Sequence, residues 1–374
     1  MRFNVSSTVL CNRLQTLSRV LSSKNSLQIL DCILFELQDG KLQLTASDSE
    51  TTLVTTLEVN DADSNGRFAI KANTIINGLK EISEQPVTID INDETHEVFI
   101  NYLNGKSNFI GQNGNDYPAT QPISEGTQLL QLPSSVLLDG ISRALFATAE
   151  DELRPVMNGI YFDVTAENIT FVASDGHKLV RDRSTAAHGE EPAAFILPKK
   201  PAKALKDILA KESGDAVIRF DDRNAQFTLE SYTLSCRLIE GRYPNYNSVI
   251  PTDNPFRIHI DRAALIGALR RVLVFASSST SLVKLEISSN TLTVSAQDID
   301  FSTSAEEHIM CDYSGNPMSI GFKGTFLIDI LNSITSQEVE LELADPSRAG
   351  VIVPVEQEEN EDLLMLLMPM MLNE

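Results

Sequence analysis

One phrase occurs three times in this chain. Leu42-Gln43-Leu44-Thr45-Ala46-Ser47-Asp48 returns as Ile169-Thr170-Phe171-Val172-Ala173-Ser174-Asp175, and more loosely as Leu292-Thr293-Val294-Ser295-Ala296-Gln297-Asp298. The aspartates stand about 127 and then about 123 residues apart, a domain-sized period rather than that of a solenoid. A chain of 374 residues then divides into three copies of one unit, each long enough to bury a core. The expected domains are residues 1–122, 128–250 and 255–374. Repetition on this scale points to a built shape more than to a single catalytic pocket.

The pattern inside each copy is the same. An amphipathic helix comes first: Val9, Leu10, Leu14, Leu17, Val20 and Leu21 after the capping pair Ser6-Ser7, then Val136, Leu137, Ile141, Leu145 and Phe146 after Pro133-Ser134-Ser135, then Ala264, Leu265, Leu269, Val272 and Leu273 after Asp261. A hairpin follows, with turns at Asp39-Gly40 in the first copy and Ser289-Asn290 in the third. A second helix is expected near 72–82, 200–209 and 324–334. Strand pairs come next, at 87–91 with 97–102, 216–220 with 226–229, and 338–343 with 350–353. The first two copies end alike, in Asp116-Tyr117-Pro118 and Arg242-Tyr243-Pro244. Turn-rich linkers follow at 122–126 and 251–255. Helices set against antiparallel strands make the class α+β.

Composition excludes several functions. Hydrophobic and charged contents of 42% and 22% are those of a globular protein. No run approaches the roughly 20 apolar residues of a membrane span, and the strand-like Met1-Arg2-Phe3-Asn4-Val5 has no signal-peptide core, so a cytoplasmic location is expected. Cys11, Cys32, Cys236 and Cys311 are scattered and are expected to be idle reduced thiols. The five histidines show no metal-ligand spacing, so neither metal nor cofactor is expected. The net charge of −22 argues against a nucleic-acid binder if taken as a sum. A ligand feels the local field, however. Lys199, Lys200, Lys203 and Lys206 fall within eight residues, and 199, 203 and 206 share a helix face. That face is either simply solvated or tracks phosphates. In the second case the acids, including the 356–362 run, should lie elsewhere.

Several segments carry a resemblance that spans the chain: Met157-Asn158-Gly159, Ser174-Asp175-Gly176-His177-Lys178-Leu179, Gly241-Arg242-Tyr243-Pro244-Asn245-Tyr246, Ile320-Gly321-Phe322, Leu331-Asn332 and the ending Leu366-Leu367-Met368-Pro369-Met370. In order and spacing, the chain resembles the bacterial DNA polymerase III β-subunit family of sliding clamps. The resemblance implies three repeated clamp domains, with helices on the inner face and antiparallel sheets on the outer face. It also implies closure into a ring as a head-to-tail homodimer around double-stranded DNA. Contacts to phosphates would be blind to sequence. The family is a processivity factor without catalysis of its own. It tethers the replicative polymerase, the clamp loader and repair proteins through short motifs.

By the same resemblance, Met157, Ser174, Gly176, His177, Leu179, Pro244, Val249, Leu367, Met368, Pro369 and Met370 match the partner-peptide cleft. Lys24, Lys71, Lys80, Arg154, Lys199, Lys200 and Lys203 match or adjoin DNA-facing positions. Phe109, Val274 and Phe275 match the dimer interface, with core burial the plainer alternative for Phe275. The first half of the apolar C-terminal run reads as a core strand. Its methionines suit a surface that accepts many partners. The chain departs from the family pattern at Met371, where an arginine is common, at Asn247-Ser248, where basic residues are common, and at Thr280, where an aromatic is common. Asp175 and His177 invite a catalytic reading. The recurrence of the aspartate at 48, 175 and 298 instead marks it as a turn element of each copy.

Overall fold

The computed structural model describes residues 1–22, 24–25, 27–119 and 128–372. The linker expected at 122–126 and the last two residues, Asn373 and Glu374, lie outside them. The first copy contains β1 (Arg2–Ser6), α1 (Ser7–Leu17), β2 (Cys32–Gln38), β3 (Lys41–Ser47), β4 (Thr51–Glu58), β5 (Gly66–Lys71), α2 (Ala72–Lys80), β6 (Pro86–Ile91), β7 (Glu97–Tyr102), β8 (Gly105–Ile110) and β9 (Gln112–Asn113). The second contains β10 (Gln128–Pro133), α3 (Ser134–Ala144), β11 (Gly159–Val164), β12 (Ile169–Ser174), β13 (Lys178–Ser184), β14 (Ala193–Pro198), α4 (Lys199–Leu209), β15 (Asp215–Phe220), β16 (Asn224–Thr228) and β17 (Tyr232–Arg237). The third contains β18 (Phe256–Asp261), α5 (Arg262–Leu273), β19 (Leu282–Ser288), β20 (Thr291–Asp298), β21 (Thr303–Asp312), β22 (Met318–Lys323), α6 (Gly324–Ser333), β23 (Glu338–Leu343), β24 (Gly350–Pro354) and β25 (Glu361–Leu367).

Local chemistry explains where these elements start and stop. Ser6 accepts the Val9 N–H at 3.1 Å and caps α1, and Asp261 accepts the Ala264 N–H at 2.7 Å and caps α5. The hairpin turn between β2 and β3 has Asp39 and Gly40 both at positive φ (51° and 77°), the conformation that a tight primed turn demands. The repeated aspartate does the same job three times. Asp48 accepts from the Glu50 and Thr51 N–H groups, Asp175 from His177 and Lys178, and Asp298 from Asp300 and Phe301. Each closes an Asx turn between the third and fourth strands of its copy.

Several strands were hard to see in the sequence, although β1 was read from Met1–Val5. The copies open not on a helix but on β1, β10 and β18, which pair with β6, β15 and β23. The fourth strand of each copy (β4, β13, β21) also escapes the apolar pattern. In β21, Thr-Ser-Ala-Glu-Glu-His has little apolar periodicity, and β4 is half threonine.

Those strands decide how the chain divides. It forms two compact units, one of Met1–Leu137 with Lys200–Leu238 and one of Leu138–Lys199 with Ile239–Glu374. The division runs through the second copy. In the first unit, β4 pairs with β17 and makes one nine-stranded sheet, β10-β15-β16-β17-β4-β3-β2-β5-β9. In the second, β13 pairs with β25 and makes one twelve-stranded sheet, β14-β11-β12-β13-β25-β24-β23-β18-β21-β20-β19-β22. The four-stranded sheet β1-β6-β7-β8 completes the first unit. α1 packs on α2, and α5 packs on α6. Leu10, Leu14, Leu17, Ile75, Leu79, Leu265, Leu269, Leu327 and Ile330 are buried. All four cysteines are buried and free. No helix among the described residues is long and apolar enough to cross a membrane.

Candidate partner-binding and nucleic-acid interfaces

The C-terminal tail is fixed by the β13–β25 ladder. Lys178 faces Leu367 and Leu179 faces Leu366. Leu366 and Leu367 are buried, so the first half of the apolar ending is indeed a core strand. Past Leu367 the chain is held from two sides. Met368 donates its N–H to the His177 carbonyl at 2.8 Å, and Met370 donates to the Gly321 carbonyl at 2.8 Å. Met368 and Met371 are exposed (41% and 90%). An apolar tail pinned by its backbone leaves its methionine side chains free to meet a partner.

The floor beside this tail is a cluster of Val172, Leu179, Ile196, Tyr243, Tyr246, Ala349 and Leu366. Tyr161 stacks on Tyr243 with ring centroids 4.7 Å apart, and the Tyr246 hydroxyl donates to Asp163 at 2.8 Å. Val249 is 57% exposed at the end of the same segment. The turn ahead of β13 supplies the other wall. Gly176 sits at φ +90°, where an L side chain is strained. Burial alone would raise the Asp175 carboxyl. The Lys178 ammonium at 2.5 Å and two backbone donors outweigh it and hold the group below the usual carboxylate range.

Backbone hydrogen bonds and ladder register thus bring His177, Leu179, Leu367, Met368 and Met370 together. Gly176 and Pro369 lie between residues so held. The Ser174 hydroxyl donates to the Lys178 carbonyl at 2.9 Å and braces the turn. Pro244 is exposed within the Tyr243–Tyr246 segment. Met157 is buried, its carbonyl accepting from Ala149 at 2.8 Å.

Sequence reasoning missed Phe326, in the first turn of α6. Its ring lies 6.5 Å from that of His177, with the Lys178 and Lys323 ammonium groups 3.8 and 4.3 Å from its centroid. A signal was present: Phe326 stands off the buried stripe of Leu327, Ile330 and Leu331, an odd place for an aromatic.

The basic helix behaves differently from the expectation of segregated charge. α4 buries Pro201, Ala202, Ala204, Leu205, Ile208 and Leu209 and leaves Lys203 exposed. In the first unit, the Lys200 ammonium contacts the Asp48 carboxylate, and Arg19 contacts Asp207. In the second unit, Lys199 meets Glu150 at 2.7 Å and Arg154 meets Asp151 at 2.7 Å. Those contacts hold the Glu150 and Asp151 carboxyls below their ordinary values. Lysines at a helix N-terminus face the positive end of the macrodipole, and the carboxylates offset that cost. Lys24, Lys71 and Lys80 are exposed without a described carboxylate partner.

Two strand edges carry exposed apolar residues. Leu103 and Ile110 flank or end β8 at 85% and 64% exposure, and Phe109 is half-buried. In the third copy, Val274, Phe275, Ile299, Phe301 and Met310 are all exposed, so Phe275 is not core.

Family models for the DNA polymerase III beta subunit match the chain in three parts: the N-terminal domain over residues 1–121, the central domain over 131–245 and the C-terminal domain over 247–371. The chain belongs to the DNA polymerase III β-subunit family. The beta sliding clamp of Pseudomonas putida is 25% identical over 373 residues, covering all of both chains. Among solved structures, the sliding clamp of Bartonella birtlesii bound to griselimycin is 25% identical with a TM-score of 0.91. That of Pseudomonas aeruginosa bound to the same ligand is 23% identical with a TM-score of 0.93. Each covers all of both chains. The chain therefore shares that fold over its whole length. Among the described residues, no group of three or more His, Cys, Asp or Glu side chains is arranged to hold a metal ion.

Proposed function

We propose that this protein is a DNA sliding clamp: a ring around duplex DNA that tethers the replicative polymerase and other replication and repair proteins. The observation that carries the reading is one strand pairing used twice. β4, β13 and β21 are the fourth strands of their copies; β8 is the outer strand of the first copy's four-stranded sheet, and β17 and β25 are the last strands of theirs. Within the chain, β4 takes β17 and β13 takes β25. That leaves β8, an edge strand, and β21, whose residues 303–310 are laddered on β20 alone while β18 covers just Cys311 and Asp312, as the open ends of the series. An unmatched edge is a template for another strand. β21 of one chain against β8 of a second gives a heterologous contact that closes after two subunits. Phe109, Val274 and Phe275, with Leu103 and Ile110, are the apolar residues that such a contact would cover.

In this reading the domains are 1–122, 128–250 and 255–374, and Lys24, Lys71, Lys80, Arg154, Lys199, Lys200 and Lys203 face the phosphates. Contacts of that kind are independent of sequence and weaken with salt. Short apolar peptides of the polymerase, loader and repair proteins dock between the Met368–Met370 tail and the His177 turn. A roughly micromolar Kd, about −8 kcal/mol, suits partners that must exchange. The family acts in replication without catalysis of its own, and a cytoplasmic location fits that role.

The test is retention on DNA after loading by a clamp loader and ATP. On nicked circles the protein should stay bound, and after linearisation it should slide off within the time of the assay. Equal retention on both forms, or a strict monomer by sedimentation at micromolar concentration, would rule out the ring.

A further inference from the structure

Three of the cations assigned to the DNA face, Arg154, Lys199 and Lys200, are held by carboxylates. Asp48 is fixed before Lys200 arrives. Its Oδ1 accepts the backbone N–H groups of Glu50 and Thr51 at 3.1 and 2.7 Å, its side chain is only 9% exposed, and its Oδ2 meets the Lys200 ammonium. In the other unit, Glu150 stands 81% exposed with one oxygen on Lys199. These carboxylates come from two unrelated places, the Asx turn between β3 and β4 and the loop after α3. They nonetheless meet the two adjacent lysines that open α4. The third copy's aspartate, Asp298, caps its turn and has no described lysine partner.

We propose that Asp48 and Glu150 are grip-limiting residues, carboxylates that hold Lys200 and Lys199 in the free protein and that phosphates must displace when DNA is present. This rests on the reading of α4 as part of the DNA face. The physical basis is competition. An exposed ion pair is weak enough for a phosphate to replace it, yet the displaced carboxylate stays within a few ångströms and repels the incoming anion. Each such residue lowers the number of phosphates effectively neutralised, and with it the affinity and its dependence on salt. A ring held by topology has no need of tight contacts, and every tight contact slows movement along the duplex. The net charge of −22 sets the long-range field, but these two side chains act at the point of contact.

The experiment uses the full-length protein and a 30-base-pair fluorescent duplex, with binding read by anisotropy from 50 to 200 mM salt. Asp48→Asn keeps an acceptor for the turn, and Glu150→Gln alters an exposed loop. The double variant should bind about tenfold tighter at the low-salt end. Its plot of log K against log salt should be steeper by about one to two. Glu94→Gln, an exposed carboxylate in the β6–β7 turn, removes one charge elsewhere and should change neither quantity. Unchanged or weaker binding by the double variant overturns the proposal. So does a Glu94→Gln effect of equal size, since net charge would then suffice. If Asp48→Asn fails to fold by circular dichroism, Glu150→Gln alone decides, with about threefold tightening expected. The underlying reading is tested separately by Lys199→Ala/Lys200→Ala/Lys203→Ala. Binding unaffected by the triple change removes α4 from the DNA face, whereas weakened binding without tightening in the Asn and Gln variants refutes only the grip-limiting role.

Discussion

The two sheet seams are copies of one join, yet only one of them runs directly into the tail of the proposed partner site. In the first unit, β17 meets β4 over five facing pairs, from Tyr232–Thr55 to Cys236–Thr51. The threonine-rich strand buries Leu53 between Thr51 and Thr55 of the same face, and the adjacent ion pair, Lys200 with Asp48, is open to solvent on its lysine side, the Asp48 side chain being 9% exposed. In the second unit, β25 meets β13 over seven pairs, from Lys178–Leu367 to Ser184–Glu361. There the charges are sunk. Arg143 of α3 lies 3.3 Å from Asp182 and 3.0 Å from Glu361, with all three side chains less than a fifth exposed. Arg181 and Arg183 reach Asp362 at 2.5 and 3.5 Å. The backbone solution is shared, and the difference lies in what continues past it. β17 leads into the Tyr243–Val249 segment, which supplies the floor of the candidate site, whereas β25 runs on into the pinned methionine tail itself. A seam that must position a binding site is longer and locked by buried charge.

The largest effect should come from breaking that lock. Arg143→Ala leaves Asp182 and Glu361 facing each other without a cation. Removing one partner of a buried pair costs about 3–5 kcal/mol, so urea unfolding should show a loss near the lower figure, because Asp182 can take up a proton. Lys200→Ala at the open pair of the other seam should cost less than about 1 kcal/mol. Similar losses at the two seams would erase the distinction drawn between them.

Next in size is the tail itself. Deleting residues 368–374 removes Met368, Pro369 and Met370 but spares β25. Binding of an apolar clamp-binding peptide should weaken by at least about 100-fold, or roughly 3 kcal/mol, while the unfolding midpoint and retention on circular DNA stay as they are. Peptide binding that survives the deletion would show that the site lies elsewhere.

The pH dependence of the second seam is a third contrast. Burial pushes the Asp182 carboxyl up to about 6, with Arg143 pulling it down and Glu361 and Asp139 pushing it further up. Asp139 on α3 is raised as well, chiefly by burial, with Arg143 opposing. In the unfolded chain Asp182 titrates near 4. Between those values the folded form holds a proton that the unfolded form has lost. The group's contribution is therefore complete below about pH 4 and is lost as the pH rises through 6, an effect on the order of 2 kcal/mol. Asp182→Asn should flatten this part of the stability profile, and an unchanged profile would show that another group sets it.

How much of this could be read from the chain follows from which residues carry periodic information. The three aspartates announced the turns, and the caps at Ser6 and Asp261 announced helices, because each is a local hydrogen-bonding choice. β4, β8, β13, β17 and β21 went unread because seam and edge strands take their stability from long-range partners, so their own residues need not alternate. The division into two compact units was likewise invisible: the sequence repeats three times, but ladders such as Leu234–Leu53 and Leu179–Leu366 regroup the second copy with its neighbours. The candidate cleft was legible through Gly176-His177 and the methionine tail. Phe326 was legible as an aromatic off the buried stripe, but its place beside His177 was not, since only the folded α6 brings the two together. The pairing of Lys199 and Lys200 with carboxylates about 50 and 150 residues away in sequence is a tertiary fact.

The smallest predicted effect isolates the tail from the seam. Gly321 of β22 accepts the Met370 N–H, and a Cβ built on it would stand 2.7 Å from the Met370 carbonyl oxygen and about 3 Å from Leu282 and Leu372. The first of these is backbone and cannot swing aside as a side chain can. Gly321→Ala must therefore lift the tail from β22 while leaving the Met368–His177 hydrogen bond and the whole β13–β25 ladder in place. Peptide affinity should fall about tenfold, or about 1.4 kcal/mol, with stability changed by less than that. Gly214, at φ +77° but with open space around it, supplies the converse case: Gly214→Ala strains a turn in the first unit and should cost stability without touching peptide binding. If Gly321→Ala binds peptide normally, the second anchor of the tail is dispensable and His177 alone positions it. If it also unfolds the second unit, the tail is part of the seam rather than an addition to it.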